Sequence, residues 1–271
     1  MKKTLIALMA LAGVAAADIE LTEWSFENGV NSVGANVYTS STTTGTVSTI
    51  DTTLTTGSIL GDTSTAKLGK ALNFVDASYI QYSNADLGTQ LLYGTGTTLS
   101  YTIMAYVMFD TLNNYGNELF FFGTGSENRT QGIALGIKEG KVDFLEKSVD
   151  HKTWDYTLAE DTWYHLAFAY DHTDNSVELF VNGISKGSLT LDGSMVGTNS
   201  DAPDNYVTLG AASDNSSQDN FSGQLAHLQV VTGAAFDAAT VKRYAASIPE
   251  PTTATLSLLA LAGLAARRRR R

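Results

Sequence analysis

Residues 163–189 constrain the fold most strongly, because three strand-like segments follow one another there with very short connections. In residues 163–170, Leu166, Phe168 and Tyr170 alternate with a histidine and two alanines. This period of two is typical of a strand whose two faces pack differently. Residues 177–181 repeat the pattern, and Asn182-Gly183 follows, a pair that readily adopts a type I′ turn. With a returning segment at 184–189, the stretch predicts an antiparallel three-stranded meander.

The rest of the chain has the same character. Segments 99–109, 119–122, 133–137 and 141–145 are rich in β-branched, aromatic and aliphatic residues, and turn residues separate them. We predict no helix before Asp237, which can cap a short helix over 238–246. Closely spaced strands without intervening helices predict an all-β fold, an antiparallel β-sandwich around one core. We expect Trp163, Leu166, Phe168, Leu179 and Val181 to contribute to that core as a group.

The central stretch resembles the laminin-G-like, concanavalin A-like jelly rolls. In that family a Trp-x-His strand leads to a hairpin closed by Asp-Gly or Asn-Gly, and here Trp163, His165 and Asn182-Gly183 match it. Further segments resemble the family's other strands in the same order, namely 67–74 (KLGKALNF), 99–107 (LSYTIMAYV), 206–210 and 221–225. The resemblance covers about residues 20–246 and implies a concanavalin A-like jelly roll. A fold shared this widely says little about function by itself.

Charge restricts the partners of this 271-residue chain. Without Lys2, Lys3, Glu250 and the arginines at 267–271, the body carries 10 basic and 27 acidic residues, a formal charge of −17. Nucleic acid and anionic lipid both require a basic footprint, so we exclude nucleic acid as a partner. The chain has no cysteine, and a domain of this length buries enough surface without disulfides.

Residues 1–17 have the layout of a secretory signal peptide. Lys2 and Lys3 precede an apolar run at 4–14, and Ala15 and Ala17 form an A-x-A cleavage site for signal peptidase. The mature jelly-roll domain is therefore predicted to span 18–247. Within it, residues 39–66 are rich in Ser and Thr. We interpret them as a surface loop region with one or two weak strands, and a glycosylated or adhesive segment is the alternative.

Residues 141–146 resemble, in part, the catalytic strand of the endoglucanases that share this scaffold. Those enzymes carry Glu-x-Asp-x-x-Glu on one strand, where alternation and a bulge aim the carboxylates into a groove and the glutamates act as nucleophile and acid/base. Residues 142–146 resemble the second half of that motif, with Asp143 and Glu146, but Lys141 stands where the nucleophile belongs. An ammonium cannot form the glycosyl ester. We therefore predict ordinary polar roles for Asp143 and Glu146, and no catalysis.

Calcium is the one metal that the resemblance suggests, since many such jelly rolls hold a structural Ca²⁺ at the rim through oxygen ligands. Asp76 resembles an acidic position of the family and is the candidate ligand. The family's later Ile-Asp-Asp motif is replaced here by Leu225-Ala226-His227. No cofactor is otherwise predicted, because the four histidines lack zinc-site spacing.

Sugar binding would use exposed aromatic rings that stack on pyranose C–H groups. The candidates are Tyr115, in an Asn- and Gly-rich segment, and Trp154 with Tyr156, two residues that share one face of a predicted strand. For Trp154 and Tyr156 packing in the core is the alternative, because aromatic residues make up much of any sandwich core.

The C-terminal residues 248–271 resemble the PEP-CTERM sorting signal of Gram-negative bacteria. Pro249, Glu250 and Pro251 are followed by an apolar run at 254–266 and five arginines at 267–271. The resemblance implies an exosortase-type protease that cuts near the motif, after transient anchoring in the inner membrane. Arginines stay on the cytoplasmic side, which places the domain outside. The alternative is a permanent anchor, although the run is shorter than the roughly 20 residues of a full span.

These features together predict an exported, surface-sorted, non-catalytic binding module, located at the cell surface or in the extracellular matrix. Its expected ligand is a carbohydrate or an exopolysaccharide of the matrix. Two alternatives stay open at this point. One is a polysaccharide-degrading enzyme on the same scaffold, against which Lys141 argues. The other is a purely structural component of the envelope.

Overall fold

The structure is a computed structural model. It describes residues 5–6, 20–24, 26, 36–39, 47–75, 78–83, 100–112, 120–124, 132–146, 150–191, 205–210 and 221–247. These residues form two antiparallel sheets that face each other across a shared hydrophobic core, with two short helices outside one sheet. The predicted antiparallel β-sandwich is confirmed.

The strands and helices have the following bounds in chain order. They are β1 Leu5–Ile6, β2 Glu20–Trp24, β3 Asn36–Thr39, β4 Val47–Asp51, α1 Thr56–Leu60, β5 Lys70–Phe74, β6 Ser78–Ser83, β7 Tyr101–Phe109, β8 Phe120–Thr124, β9 Gly132–Lys138, β10 Lys141–Glu146, β11 Asp150–Thr157, β12 Trp163–Asp171, β13 Ser176–Val181, β14 Ile184–Thr190, β15 Asn205–Leu209, β16 Gly223–Thr232 and α2 Ala238–Ala246.

The first sheet has nine strands, in the order β1-β2-β16-β7-β12-β13-β14, and β5 also pairs with β16 and carries β4 on its other side. The second sheet has seven strands, in the order β11-β10-β9-β8-β15-β6-β3. Neighbours in space are often distant in sequence, as the pairing of β2 with β16 shows.

The predicted meander is β12, β13 and β14, joined by tight turns. Asn182 and Gly183 have φ angles of 53° and 74°, as a type I′ turn requires. A Cβ atom at Gly183 would also lie 3.2 Å from Cβ of Lys242, so both φ and space favour glycine there. The alternating residues Leu166, Phe168, Leu179 and Val181 are all buried in the core between the sheets.

Trp163 does not join that core, contrary to our expectation. Residues 163, 165 and 167 alternate with the core residues of β12, so they belong to the opposite face of the nine-stranded sheet. There Trp163 packs, half-buried, against a second cluster that includes Tyr106 and Leu60. The alternation was correctly recognised, but one residue was assigned to the wrong face.

A layer containing α1 and α2 covers the outer face of the nine-stranded sheet. Ile59 and Leu60 of α1 pack on Tyr106, and Val241 of α2 packs with Met104. The prediction of no helix before Asp237 is therefore wrong, because the segment 39–66 contains α1 as well as β4. Five residues are too few to show helical periodicity in a sequence, and α1 ends at a left-handed Gly61.

Helix α2 and its cap are confirmed. Oδ1 of Asp237 accepts a hydrogen bond from the backbone N–H of Thr240 at 2.8 Å, which satisfies one of the donors that a helix N-terminus leaves unpaired. At the other end of the helix, the Tyr106 hydroxyl donates to the carbonyl of Ala245 at 2.8 Å. Both ends of α2 are thus held by side chains.

Strand β16 joins two separate parts of the sheet. One side pairs with β7, while the other pairs first with β5, over residues 223–225, and then with β2, over 228–232. The register shifts between Ala226 and Gln229, and His227, at the junction, has a φ of 46°. Its Nε2 lies 2.6 Å from the carbonyl oxygen of Leu68, and its Nδ1 lies 3.5 Å from Oε1 of Glu23.

The two terminal segments lie mostly outside the described residues. Leu5–Ile6 pairs with β2, opposite Leu21 and Glu20. This short pairing differs from our expectation that residues 1–17 stand apart from the fold, and cleavage after Ala17 would leave β2 at the sheet edge. Residues 248–271 fall outside the described part. Neither described helix has the length and apolar character needed to span a membrane.

Candidate functional site

A polar surface lies on the outer face of the seven-stranded sheet at β9, β10 and β11. Four residues of β9 and β10 point into the core, namely Leu135, Ile137, Val142 and Phe144. Strand alternation therefore turns Gly136, Lys141 and Asp143 to the opposite face. On β11 the same face carries exposed Thr153, Asp155 and Thr157. We refer to these six outward residues as the β9–β11 face.

Asp143 is the unusual member of this face, because it is only 6 % exposed although it points away from the core. It lies between Gly136 on β9 and Thr153 on β11. Glycine contributes no side chain next to the carboxylate on the β9 side. A buried carboxylate needs polar partners to offset its lost hydration. The surroundings of Asp143 are therefore suited to polar groups.

A salt bridge lies beside Asp143. Nζ of Lys141 donates to Oδ1 of Asp155 at 2.9 Å. The hydrogen bond from Lys141, and secondly its charge, lower the pKa of Asp155 below its ordinary value. Both side chains are solvated, so the pair orients the ammonium more than it stabilises the fold. The register shift between Lys141 and Asp143 places Asp155 in an irregular part of β11, opposite β10.

The backbone of β10 differs from the arrangement that the catalytic motif requires. Residues 143–146 pair with 136–133 of β9 in continuous register, so the irregularity precedes Asp143 and does not separate it from Glu146. At the position of the nucleophile, Lys141 is engaged with Asp155, so the face offers hydrogen-bond donors and acceptors there.

Trp154 does not belong to this surface, which corrects the prediction that its ring is available for a sugar. It is 3 % exposed and packs in the core, with its ring centroid 5.9 Å from that of Phe168. Its Nε1–H donates to the carbonyl oxygen of Gly187 in β14 at 2.8 Å. Trp154 thereby links the edge strands of the two sheets, β11 and β14. The alternative of core packing is the one that the structure shows.

Tyr156 occupies a position between surface and core. It packs partly against the main core, and Nζ of Lys186 lies 4.3 Å from its ring centroid. Burial, and secondly the nearby Tyr164, raise the pKa of Tyr156. A cation over a tyrosine ring is a favourable contact, so a sugar that stacks on this face must displace Lys186.

The other predicted site residues lie outside the described part of the chain. These are Tyr115, Asp76, the sorting motif Pro249, Glu250 and Pro251, and the cleavage-site residues Ala15 and Ala17.

For calcium, the residues at the family's later acidic position can be assessed. Leu225 and Ala226 are buried and apolar, and the ring of His227 contacts Leu68 and Glu23. This position therefore does not offer the set of oxygen ligands that calcium needs. In the described ranges no three acidic or histidine side chains converge into a metal site. Calcium stays a prediction that depends on Asp76.

A buried polar pair lies under the helical layer. The ring of His165 contacts Tyr106 edge-on, with centroids 4.8 Å apart, and its Nδ1 has no hydrogen-bond partner among the described residues. Burial lowers the pKa of His165 to about 3 and raises that of Tyr106. Since both rings are enclosed by the sheet and the helices, we assign them a role in packing.

The sandwich and its strand order define a jelly-roll protein of the lectin and glucanase class. The chain belongs to the concanavalin A-like lectin/glucanases superfamily, whose family model matches residues 76–242. No curated protein sequence matches the chain.

A solved structure with a TM-score above 0.5 agrees on the fold, and a second is less similar. Domain 4 of AbnA, a GH43 extracellular arabinanase from Geobacillus stearothermophilus in complex with arabinotriose, has a TM-score of 0.56 and 19% identity, covering 82% of this chain and 96% of the domain. The CBM40 of Ruminococcus gnavus IT-sialidase, bound to α2,3-sialyllactose, has a TM-score of 0.46 and 16% identity, covering 55% of this chain and 84% of that one. At such identities the likeness shows the fold alone.

Proposed function

We propose that this protein is a non-catalytic carbohydrate-binding module that is exported and displayed at the cell surface. The observation that carries the proposal is the β9–β11 face, where the buried carboxylate of Asp143 borders a glycine among exposed threonines. Carboxylates and hydroxyls are the groups that orient sugar hydroxyls by hydrogen bonds. The opposite surface of the sandwich is less suitable, because α1 and α2 cover it.

The choice of the first ligand follows from the comparison. Domain 4 of AbnA aligns with this chain over 96% of the domain's own length, and its structure is in complex with arabinotriose. Arabino-oligosaccharides are therefore the first ligands to test. They are neutral, which suits a body with a formal charge of −17, because an acidic glycan would meet repulsion.

The absence of catalysis is part of the proposal. Lys141 stands at the position of the nucleophile and binds Asp155, and the register between Asp143 and Glu146 has no bulge. We expect the protein to release no reducing sugar from arabinan or β-glucan. Release that disappears in Asp143→Asn or Glu146→Gln would show that the protein is an enzyme.

Export and sorting rest on the two ends of the sequence. The signal-peptide pattern at 1–17 and the motif at 249–251, followed by an apolar run and arginines, support delivery through the inner membrane to the surface. The mass of the protein recovered from the cell surface tests this part. It should lack residues 1–17 and the arginines at 267–271, and retention of the arginines would instead indicate a permanent anchor.

The binding site itself is tested with matched variants of the full chain in mild detergent. Binding to arabino-oligosaccharides and to a panel of neutral glycans is measured by calorimetry. Asp143→Asn should weaken binding about tenfold or more, which corresponds to about 1.4 kcal/mol. Asp174→Asn, an equal change of charge on an exposed turn, should leave affinity unchanged. Equal affinities of the two variants, or no binding to any glycan, would contradict the proposal.

A further inference from the structure

The last helix of the fold fixes where the C-terminal tail leaves the domain. Val241 and Ala245 of α2 are buried against the nine-stranded sheet. In its last turn, the carbonyls of Ala245 and Ala246 accept hydrogen bonds from Tyr106 Oη and Ser64 Oγ, at 2.8 and 3.4 Å. The last carbonyls of a helix have no partner within the helix, so these contacts hold its end on the body.

The tether beyond α2 is short. The apolar run begins at Ala254, eight residues after Ala246. Fully extended, eight residues reach roughly 26–29 Å. Pro249 lies only three residues after Ala246 and is within about 10 Å of the folded surface. A tail held in a membrane therefore keeps the end of α2 close to that membrane.

The opposite face of the sandwich is too far away for this tether. Helix layer, first sheet and second sheet are spaced by about 10 Å each, so the outer face of the seven-stranded sheet lies about 20 Å beyond the helices. Helix α2 packs near the middle of its sheet, against residues of β7, β12, β13 and β16. To reach that face, the tether would have to run around an edge of the sandwich. This path crosses at least two further strands, about 10 Å, in addition to the 20 Å between the two faces, so its length exceeds about 30 Å.

Charge provides a second, independent argument. The described segments that build the helical layer outside the sheet, 52–69 and 234–247, contain three basic and two acidic residues, a formal charge of +1. The basic residues are Lys67, Lys242 and Arg243. Since the whole body carries −17, its acidity resides elsewhere. The helical layer is thus the face that an anionic lipid surface repels least.

From the length of the tether and the distribution of charge, we propose that the helical layer of α1 and α2 is the membrane-proximal face of the anchored protein. Its partner is the phospholipid headgroup surface, and the seven-stranded sheet with the β9–β11 face points away from the membrane. This inference rests on the proposed anchoring by the tail and is independent of glycan binding.

Single cysteines test the orientation cleanly, because the chain has none of its own. Thr65→Cys labels the helical layer, one residue after Ser64, and Thr153→Cys labels the β9–β11 face; both positions are exposed. The full chain is inserted through its tail into phosphatidylcholine vesicles, and each cysteine carries a small fluorophore. A nitroxide on the lipid headgroups should quench the label at Thr65→Cys at least twofold more than the label at Thr153→Cys.

A lengthened tether is the matched control. Insertion of twenty Gly and Ser residues between Ser247 and Ile248 gives a flexible linker with a mean span of about 25 Å and a far longer reach, so the difference in quenching should disappear. Equal quenching without the insertion, or a difference that persists with it, would overturn the inference. Vesicle flotation separates the two proposals. Protein that does not float refutes anchoring and orientation together, while glycan binding by the same sample stays measurable.

Discussion

Replacement of His165 by phenylalanine is expected to remove part of the acid sensitivity of this fold. The imidazole is buried under the helical layer, edge-on to Tyr106, and burial lowers its pKa to about 3. In the unfolded chain a histidine titrates near its ordinary value of about 6.5. The variant His165→Phe keeps an aromatic ring at this position and removes the titrating group.

The sign and size of the effect follow from linkage between protonation and folding. Above about pH 6.5 both states hold a neutral imidazole, and the full stability is present. Between about pH 6.5 and 3 the unfolded state binds the additional proton, so the free energy of unfolding falls as the pH falls. Uptake of one proton by the unfolded state changes the free energy of unfolding by about 1.4 kcal/mol per pH unit. Between pH 7.5 and 5.0 the free energy of unfolding therefore falls by about 2 kcal/mol.

The pH-dependent contribution of His165 to the free energy of unfolding is measured by comparing the wild type with the variant. Both are unfolded in urea at pH 7.5 and 5.0, and unfolding is followed by tryptophan fluorescence. The wild type should lose about 2 kcal/mol more than His165→Phe over this interval. Tyr106→Phe is the control: it leaves the carbonyl of Ala245 without its buried donor and costs about 1–2 kcal/mol at both pH values alike. If His165→Phe loses as much stability as the wild type on acidification, the argument from burial is refuted.

Two further predictions concern stability. Trp154→Ala should lower the free energy of unfolding by about 3–5 kcal/mol, because it empties a core site and removes the donor to Gly187; a loss below about 1 kcal/mol in urea would show that the ring is not packed as described. Asp237→Ala should cost about 1 kcal/mol and lower the melting temperature by a few degrees, since it removes the cap of α2. An unchanged melting curve for Asp237→Ala would contradict the role of the cap.

The fold was largely predictable because its central hairpins are local and strictly alternating. Residues 163–189 contain three strands and both of their turns, so pairing partners are close in sequence and side chains of one face recur every second residue. When both faces of a sheet are buried, however, periodicity alone does not determine which face packs against the second sheet and which packs against the helices. Trp163 was misassigned for this reason, since both faces of the nine-stranded sheet are covered.

The helical layer was harder to predict. Helix α1 has five residues and lies in a Ser- and Thr-rich segment, where composition indicates a loop. Its burial depends on contacts with β7 and α2, which are remote in sequence. Local propensity cannot report such contacts.

For the candidate site, the sequence drew attention to β10 and β11 but not to which of their side chains face the surface. The resemblance directed attention to Asp143, and alternation with Val142 and Phe144 could have placed it on the outer face, but the burial of its carboxylate depends on neighbouring strands. Trp154 was predicted as a ligand contact because the presence of an aromatic residue in a strand does not indicate whether its side chain faces solvent or the core.

The division of β16 between β5 and β2 has a consequence for local opening of the molecule. Residues 223–225 hold β5 and residues 228–232 hold β2, so the N-terminal strand can separate without disturbing the β4–β5 pair. Strands that detach alone expose their amides to hydrogen exchange at a free energy below that of global unfolding. Amides that hydrogen-bond between β16 and β2 should therefore exchange earlier than those between β16 and β7, because β2 can open separately from the centre of the sheet.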